Sequence, residues 1–234
     1  MSQSADRIPW VPAGIGNIYG VILNDEETLA RYGAALQAEP YKAKPIAPVL
    51  YFKPANTIAR DGEEIELPAS ADMVEVYGTL GVVLAREACR VSEHDALSYV
   101  RGYVVAADLT LPHESLYRPP IREKCFDGAC PISNAIAEAE AIGNAGAIEV
   151  RISVNGMVMQ RWSTANLHRS VAKLIADVTA FMTLNAGDVL LVAAVAGAPR
   201  ARIGDLEHLV QLVPRHLRVP RLVEDQIDEV THLT

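Results

Sequence analysis

The chain has 234 residues, half of them apolar and 21% charged, with a formal net charge of −8. That length and apolar content suffice for one domain with a sizeable core, or a domain plus a small appendage, and exclude extensive disorder. The negative charge disfavours nucleic acid and anionic membranes as partners, so an anionic ligand calls for a local basic cluster, which Arg118, Arg122 and Lys124 supply. The longest apolar run, VLLVAAVAGA at 189–198, is about half the ~20 residues a membrane helix needs and reads as core strand. The opening residues carry no basic start followed by an apolar block, so no secretory leader is expected and a cytoplasmic location is. Cys89, Cys125 and Cys130 form no CxxC pair and read as free thiols.

In chain order, NIYGVILN (17–24) has strand composition. It is followed by helical spacing to Pro40, with Asn24 and Glu27 as a candidate capping box. PVLYFKP is extended up to Pro54, because the residue before a proline avoids the helical region. EIELP reads as a strand, and MVEVYGTLGVVLA alternates before becoming continuously apolar, as a strand does on entering the centre of a sheet. A short helix after Ser92 leads to YVVAADLTL, a strand expected to end on Asp108. The loop PHESLYRPPIREKCFDGACPI mixes charge, aromatics and rigid prolines, which suits either a functional loop or a surface one. AIEVRISVNGMVMQRWS is a hairpin turning at Asn155-Gly156. The longest helical pattern follows, with Ser163 or Thr164 as its cap, and then NAGDVLLVAAV and EHLVQLVPRHLRVPRL supply the last strands. Nine or ten strands against three or four helices, without βαβ alternation, predict a mainly β domain with peripheral helices, of the α+β class. The predicted boundaries are an N-terminal extension at 1–16, the domain at 17–223 and a tail at 224–234.

GIGNIYG has the wrong spacing for a dinucleotide loop and precedes a strand rather than a helix. No Walker loop, HExxH, GxSxG or zinc spacing occurs. The scattered histidines read as surface or core-edge residues, except His113, which stands beside Glu114 just after the Asp108 strand. Lys53, at an apolar strand end, either snorkels to solvent or points into a site to hold a carboxylate, and Lys124 has the same two readings. The basic run PRHLRVPR reads as a solvated or subunit-contacting edge.

Taken together, YFKPANT, RGYVVAADLTLPHESLYRPPIREKCFDGACPI, VNGMVMQRWSTANL and LNAGDVLL resemble the fumarylacetoacetate hydrolase family, in order and from about residue 16 to about residue 223. EPYKAKP, FKPANT, SLYRPPIREKC and DGACPI carry a closer likeness to the family's isomerase/decarboxylase branch of 4-hydroxyphenylacetate (homoprotocatechuate) breakdown, its N-terminal half in particular. The resemblance implies a β-roll, assembled as dimers or duplicated halves, acting on β-keto or enol acids by hydrolysis, decarboxylation or tautomerisation. It also implies Mg or Mn held by a Glu-x-Glu pair on one strand and an aspartate on a later one.

The positions matching that pair here are Tyr77 and Thr79, whereas the aspartate matches Asp108. A phenol and a neutral hydroxyl cannot supply the charge a hard divalent cation needs, so no metal and no other cofactor is predicted; Mg or Mn would require another ligand set. The first reading is a metal-independent isomerase subunit for a small di- or tricarboxylate enol/keto acid. In it Lys124, matching the family lysine beside the metal site, binds enolate or carboxylate. Asp108, Glu114 and His113 are candidate proton carriers, and Lys53, Arg118, Arg122, Tyr77 and Thr79 are candidate substrate contacts. The alternatives are a non-catalytic partner of a metal-bearing homologue and a metal-dependent acylpyruvate- or fumarylacetoacetate-type hydrolase. The expected assembly is a homodimer or a heteromer with such a homologue. Two departures stand out: VAAVAGAPR replaces the family's GTP after the GD strand, and residues 24–40 offer no lid histidine.

Overall fold

A computed structural model of the chain describes residues 15–113, 120–202 and 205, with 210–214 described in backbone only. Twelve strands run through these residues: β1 (Ile18–Ile22), β2 (Val49–Lys53), β3 (Ile58–Arg60), β4 (Met73–Leu84), β5 (Val100–Thr110), β6 (Cys130–Ile132), β7 (Ala137–Glu138), β8 (Ile148–Val154), β9 (Met157–Ser163), β10 (Val189–Leu191), β11 (Arg200–Arg202) and β12 (Val210–Pro214). The helices are short: α1 (Glu26–Arg31), α2 (Gly33–Gln37), α3 (Ile121–Lys124), α4 (Ala139–Ile142) and α5 (Val171–Thr179). The mainly β, α+β class read from the sequence is the one observed.

Nine strands form one sheet in the order β2-β1-β10-β4-β5-β6-β3, with β11 pairing β4 and β7 pairing β5, while β12, β8 and β9 form a second. The large sheet curls into a half-barrel, because side chains on β2 meet Asp108 on β5 although β1, β10 and β4 lie between those strands. Alternation along the paired β4 and β5 then divides the interior in two. Val74, Val76, Leu80, Val82, Leu84 and Leu109 point to the convex side, where they pack against Ile148, Val150, Ile152 and Trp162 of the small sheet and Leu174, Ile175 and Val178 of α5. The Trp162 indole donates to the Gly78 carbonyl at 3.0 Å and fixes one sheet to the other. On the concave side Ile18, Val83, Val104, Ala106, Ile132, Val189 and Leu191 fill one end of the half-barrel. The other end is left to polar groups, and it holds the site.

Several predicted elements differ from those observed. The helix expected up to Pro40 is two short ones, and Asp25, not Asn24, caps the first by accepting from the Thr28 amide at 2.8 Å. Asn24 instead ties distant segments together, donating to the Arg169 and Val192 carbonyls and accepting from the Arg169 amide. Ser92 starts a turn closed on Asp95, and only a 3₁₀ segment, Ala96–Tyr99, follows. EIELP forms no strand, and β5 continues past Asp108 to Thr110. The long helical pattern splits: Ser163 caps a single 3₁₀ turn, and Ser170 caps α5 through the Lys173 amide. The apolar run at 189–198 is strand only over Val189–Leu191. Among the described residues no helix is long and apolar enough to cross a membrane. The Asn155-Gly156 hairpin is present, with both residues at positive φ (51° and 75°), the conformation of a two-residue primed turn.

Candidate active site

On β4 the residues Glu75, Tyr77 and Thr79 share one face, and their partners on β5 are Thr110, Asp108 and Ala106. On β2, Tyr51 and Lys53 share the inward face, whereas Phe52 points outward and is half exposed. Curling the sheet brings the two sets together. The Asp108 carboxylate is fully buried, with Lys53 Nζ at 2.5 Å from Oδ1, and Lys124 Nζ and the Tyr51 hydroxyl each at 2.6 Å from Oδ2. Tyr51 reaches Asp108 by lying across Gly20, its partner on β1; a Cβ there would stand 2.0 Å from the Tyr51 ring.

Lys53 is saturated. Its ammonium also donates to the carbonyls of Lys124 (2.7 Å), Ala129 (2.9 Å) and Leu109 (3.3 Å), so it clamps β5 to the segment that carries Lys124. Asn56 completes the clamp, donating to the Cys125 carbonyl at 3.0 Å and to Asp127 Oδ1 at 2.8 Å. These contacts tie the FKPANT segment to EKCFDGAC. Lys124 itself ends the single turn of α3, donates to Thr110 Oγ1 at 2.8 Å, and stands 4.5 and 5.3 Å from the ring centres of Tyr51 and Tyr77.

The electrostatics follow from this packing. Burial alone would push the Asp108 carboxyl up, but the Lys124 and Lys53 ammoniums overcome it and hold its pKa at about 2. Burial lowers the Lys124 pKa below its ordinary value, against the opposing pull of Asp108. Burial and the neighbouring Asp108 raise the Tyr51 phenol well above its usual value, and burial with Glu75 raises that of Tyr77. Both tyrosines are therefore hydroxyl donors at neutral pH.

Above this floor opens a cleft of about 320 Å³, lined among others by Lys124, Tyr77, Glu75, His113, Arg31 and Arg200. Of the residues singled out from the sequence, Lys124, Tyr77 and His113 line it. Asp108 and Lys53 lie beneath as the floor's ion pair, so Lys53 points inward and does not snorkel. Thr79 is fully buried, with its hydroxyl 3.5 Å from the Leu80 carbonyl, and does not line the cleft. Arg122 is a correction: its guanidinium donates to Ser70 at 3.3 Å on the exposed side and is not among the cleft residues. Glu114 and Arg118 fall outside the described residues. The sequence reading passed over Tyr51, Thr110, Arg31 and Arg200. Strand alternation from Lys53 and Asp108 would have found the first two, while the arginines carried no local signal.

The donor set does not fit a hard divalent cation. Both Asp108 oxygens are already engaged by cations and a phenol, Tyr77 and Thr79 are neutral, and among the described residues no three His, Cys, Asp or Glu side chains cluster at ligand distance.

The site is thus a curled β-sheet whose open end holds a buried lysine–carboxylate–lysine cluster beneath a cleft lined by Lys124, Arg31 and Arg200. Residues 17–219 match the fumarylacetoacetate (FAA) hydrolase C-terminal domain family. The chain is 38% identical over 188 residues to an Escherichia coli 4-hydroxyphenylacetate degradation bifunctional isomerase/decarboxylase, a match that covers 80% of this chain and 42% of that protein. Its fold superposes on a fumarylacetoacetate hydrolase family protein from Yersinia pestis at a TM-score of 0.72, with 25% identity and coverage of 85% and 89% of the two chains. It also superposes on a 5-carboxymethyl-2-hydroxymuconate delta-isomerase from Mycobacterium smegmatis at a TM-score of 0.69, with 26% identity and coverage of 87% and 76%. The chain belongs to the fumarylacetoacetate hydrolase family, and it spans less than half the length of the bifunctional relative.

Proposed function

We propose that the chain is an isomerase subunit of aromatic catabolism, converting hydroxymuconate-type enol acids to their keto isomers without a metal ion. The observation that carries this reading is the Lys53–Asp108–Lys124 cluster. It occupies the floor of the cleft and leaves the Lys124 ammonium facing the substrate space. An ammonium there does for a developing enolate what a fixed electrostatic donor does: it is already oriented when charge appears on oxygen. Arg31 at the same cleft suits a carboxylate of a small di- or tricarboxylate. The likeness to the Mycobacterium smegmatis 5-carboxymethyl-2-hydroxymuconate delta-isomerase supports the substrate class, and the likeness to the Escherichia coli 4-hydroxyphenylacetate degradation isomerase/decarboxylase supports the setting in aromatic catabolism. We place the subunit in the cytoplasm, as one half of a homodimer or of a heteromer with a metal-bearing homologue.

The test is ketonisation of 5-carboxymethyl-2-hydroxymuconate by the purified chain, with EDTA and with added Mg. Turnover unchanged by EDTA and abolished by Lys124→Ala is the expected result. Turnover that appears only when a metal-bearing homologue is added points to a non-catalytic partner, and strict dependence on Mg points to a hydrolase-type site.

A further inference from the structure

We propose that Glu75 is the proton carrier of this isomerisation and that Arg200 and Tyr77 position it; the assignment rests on the isomerase reading above. Asp108 cannot carry the proton to substrate. It is fully buried, and its two oxygens are held by Lys53, Lys124 and Tyr51. Among the described residues lining the cleft, Glu75 is the one carboxylate. It stands at the junction of three strands, with Arg200 on β11 and Thr110 on β5 as its partners across the sheet. The Arg200 guanidinium donates to Oε1 at 3.2 Å and the Tyr77 hydroxyl to Oε2 at 3.0 Å, which fixes the carboxylate with about 19% of its side chain open to the cleft. Two bonds leave roughly two of a carboxylate's four acceptor sites for substrate.

The second half of the geometry is Lys124. Its ammonium is bonded to Thr110, and Thr110 faces Glu75 across the strands, where paired Cβ atoms lie about 5 Å apart. An oxygen held by Lys124 therefore sets the neighbouring carbons over Glu75.

The step balances without a co-reactant. The enol O–H bond breaks as Glu75 takes its proton, and the charge on oxygen is met by Lys124. The carbonyl then forms, the diene electrons shift, and the far carbon takes the proton back from Glu75 as a new C–H bond. Glu75 returns to its carboxylate, and no electron is gained or lost.

Wild type, Glu75→Gln, Glu75→Asp and Arg200→Gln are compared with 5-carboxymethyl-2-hydroxymuconate by loss of the dienol absorbance, with deuterium incorporation into product followed in D₂O. Glu75→Gln is expected to lower kcat by about 10²- to 10⁴-fold with KM within about threefold, the span of a lost general base. Deuterium incorporation should fall in the same ratio. Arg200→Gln, acting through Glu75, should lower kcat by about tenfold at unchanged KM, and Glu75→Asp should retain part of the activity. An active wild type with Glu75→Gln at near wild-type kcat overturns the proposal alone, as does a variant that changes only KM, since that would make Glu75 a binding residue. If Glu75→Gln does not fold, Glu75→Asp decides: an undiminished kcat overturns the assignment. A wild type that turns over nothing overturns the proposed function and this assignment with it.

Discussion

Replacing Asp108 with Asn removes one charge from a buried set of three and leaves the side-chain shape nearly unchanged. The two ammoniums, 2.5 and 2.6 Å from the carboxylate, would then face each other across a neutral amide with almost no access to water. The lowering of the Asp108 pKa from 3.8 to about 2 corresponds, at about 1.36 kcal/mol per pH unit, to about 2 kcal/mol by which the fold favours the ionised form. That figure is net of desolvation, so stranding two buried ammoniums costs more, and about 3 to 5 kcal/mol is the range for breaking a buried pair. Equilibrium urea unfolding at pH 7, followed by tryptophan fluorescence, measures it directly. Because the folded-state pKa of Asp108 is depressed, its contribution is fully present above about pH 4 and is lost as the pH falls towards about 2. The difference between wild type and Asp108→Asn should therefore shrink across that window. A loss below about 1 kcal/mol at pH 7, or a difference that does not change between pH 4 and pH 2, would refute the claim that charge holds this floor.

Gly20→Ala places a Cβ 2.0 Å from the Tyr51 ring and must displace it, at a cost of about 1–3 kcal/mol in unfolding free energy; Gly20→Ala combined with Tyr51→Ala should recover part of it. Of the three thiols, exposed Cys89 should react promptly with an aromatic disulfide reagent in the native protein, while Cys130, fully buried with its pKa pushed up to about 12, should react only on unfolding. Prompt native labelling of Cys130 would contradict the packing of the concave core.

The sequence carried β4, β5, β8 and β9 well, through long apolar or alternating runs and the Asn-Gly turn, whereas the short alternating EIELP forms no strand. It carried the helices poorly, because the segment before Pro40 and the one after Ser163 have apolar spacing that tertiary contacts interrupt. Asn24 is the clearest case. Its local position makes it a cap, yet its amide is spent on two carbonyls more than 140 residues away. The floor of the site was legible through Lys53, Asp108 and Lys124, because each sits at a strand end or beside a rigid loop. The rim was not. Arg200 owes its place to β11 pairing with β4, a contact across 125 residues, and Arg122 turns outward to Ser70 although Lys124, two residues on, points into the site.

The paired absence of glutamates at positions 77 and 79 has an electrostatic reason once the floor is visible. In the family pattern a divalent cation and two glutamates add nothing to the net charge of the two lysines and the aspartate. Losing the cation alone would strand two carboxylates, and losing the glutamates alone would strand a dication beside Lys53 and Lys124. Either change costs several kcal/mol in a buried setting, whereas losing both together leaves the floor at the same net charge. The substitutions also make use of the space. The Tyr77 ring faces the Lys124 ammonium, and its hydroxyl turns to Glu75. Thr79 lies buried beside Ala106, its partner on β5. A basic floor with its cation facing the cleft is therefore compatible with both substitutions, and the missing metal ligands alone do not mark this site as a decayed one.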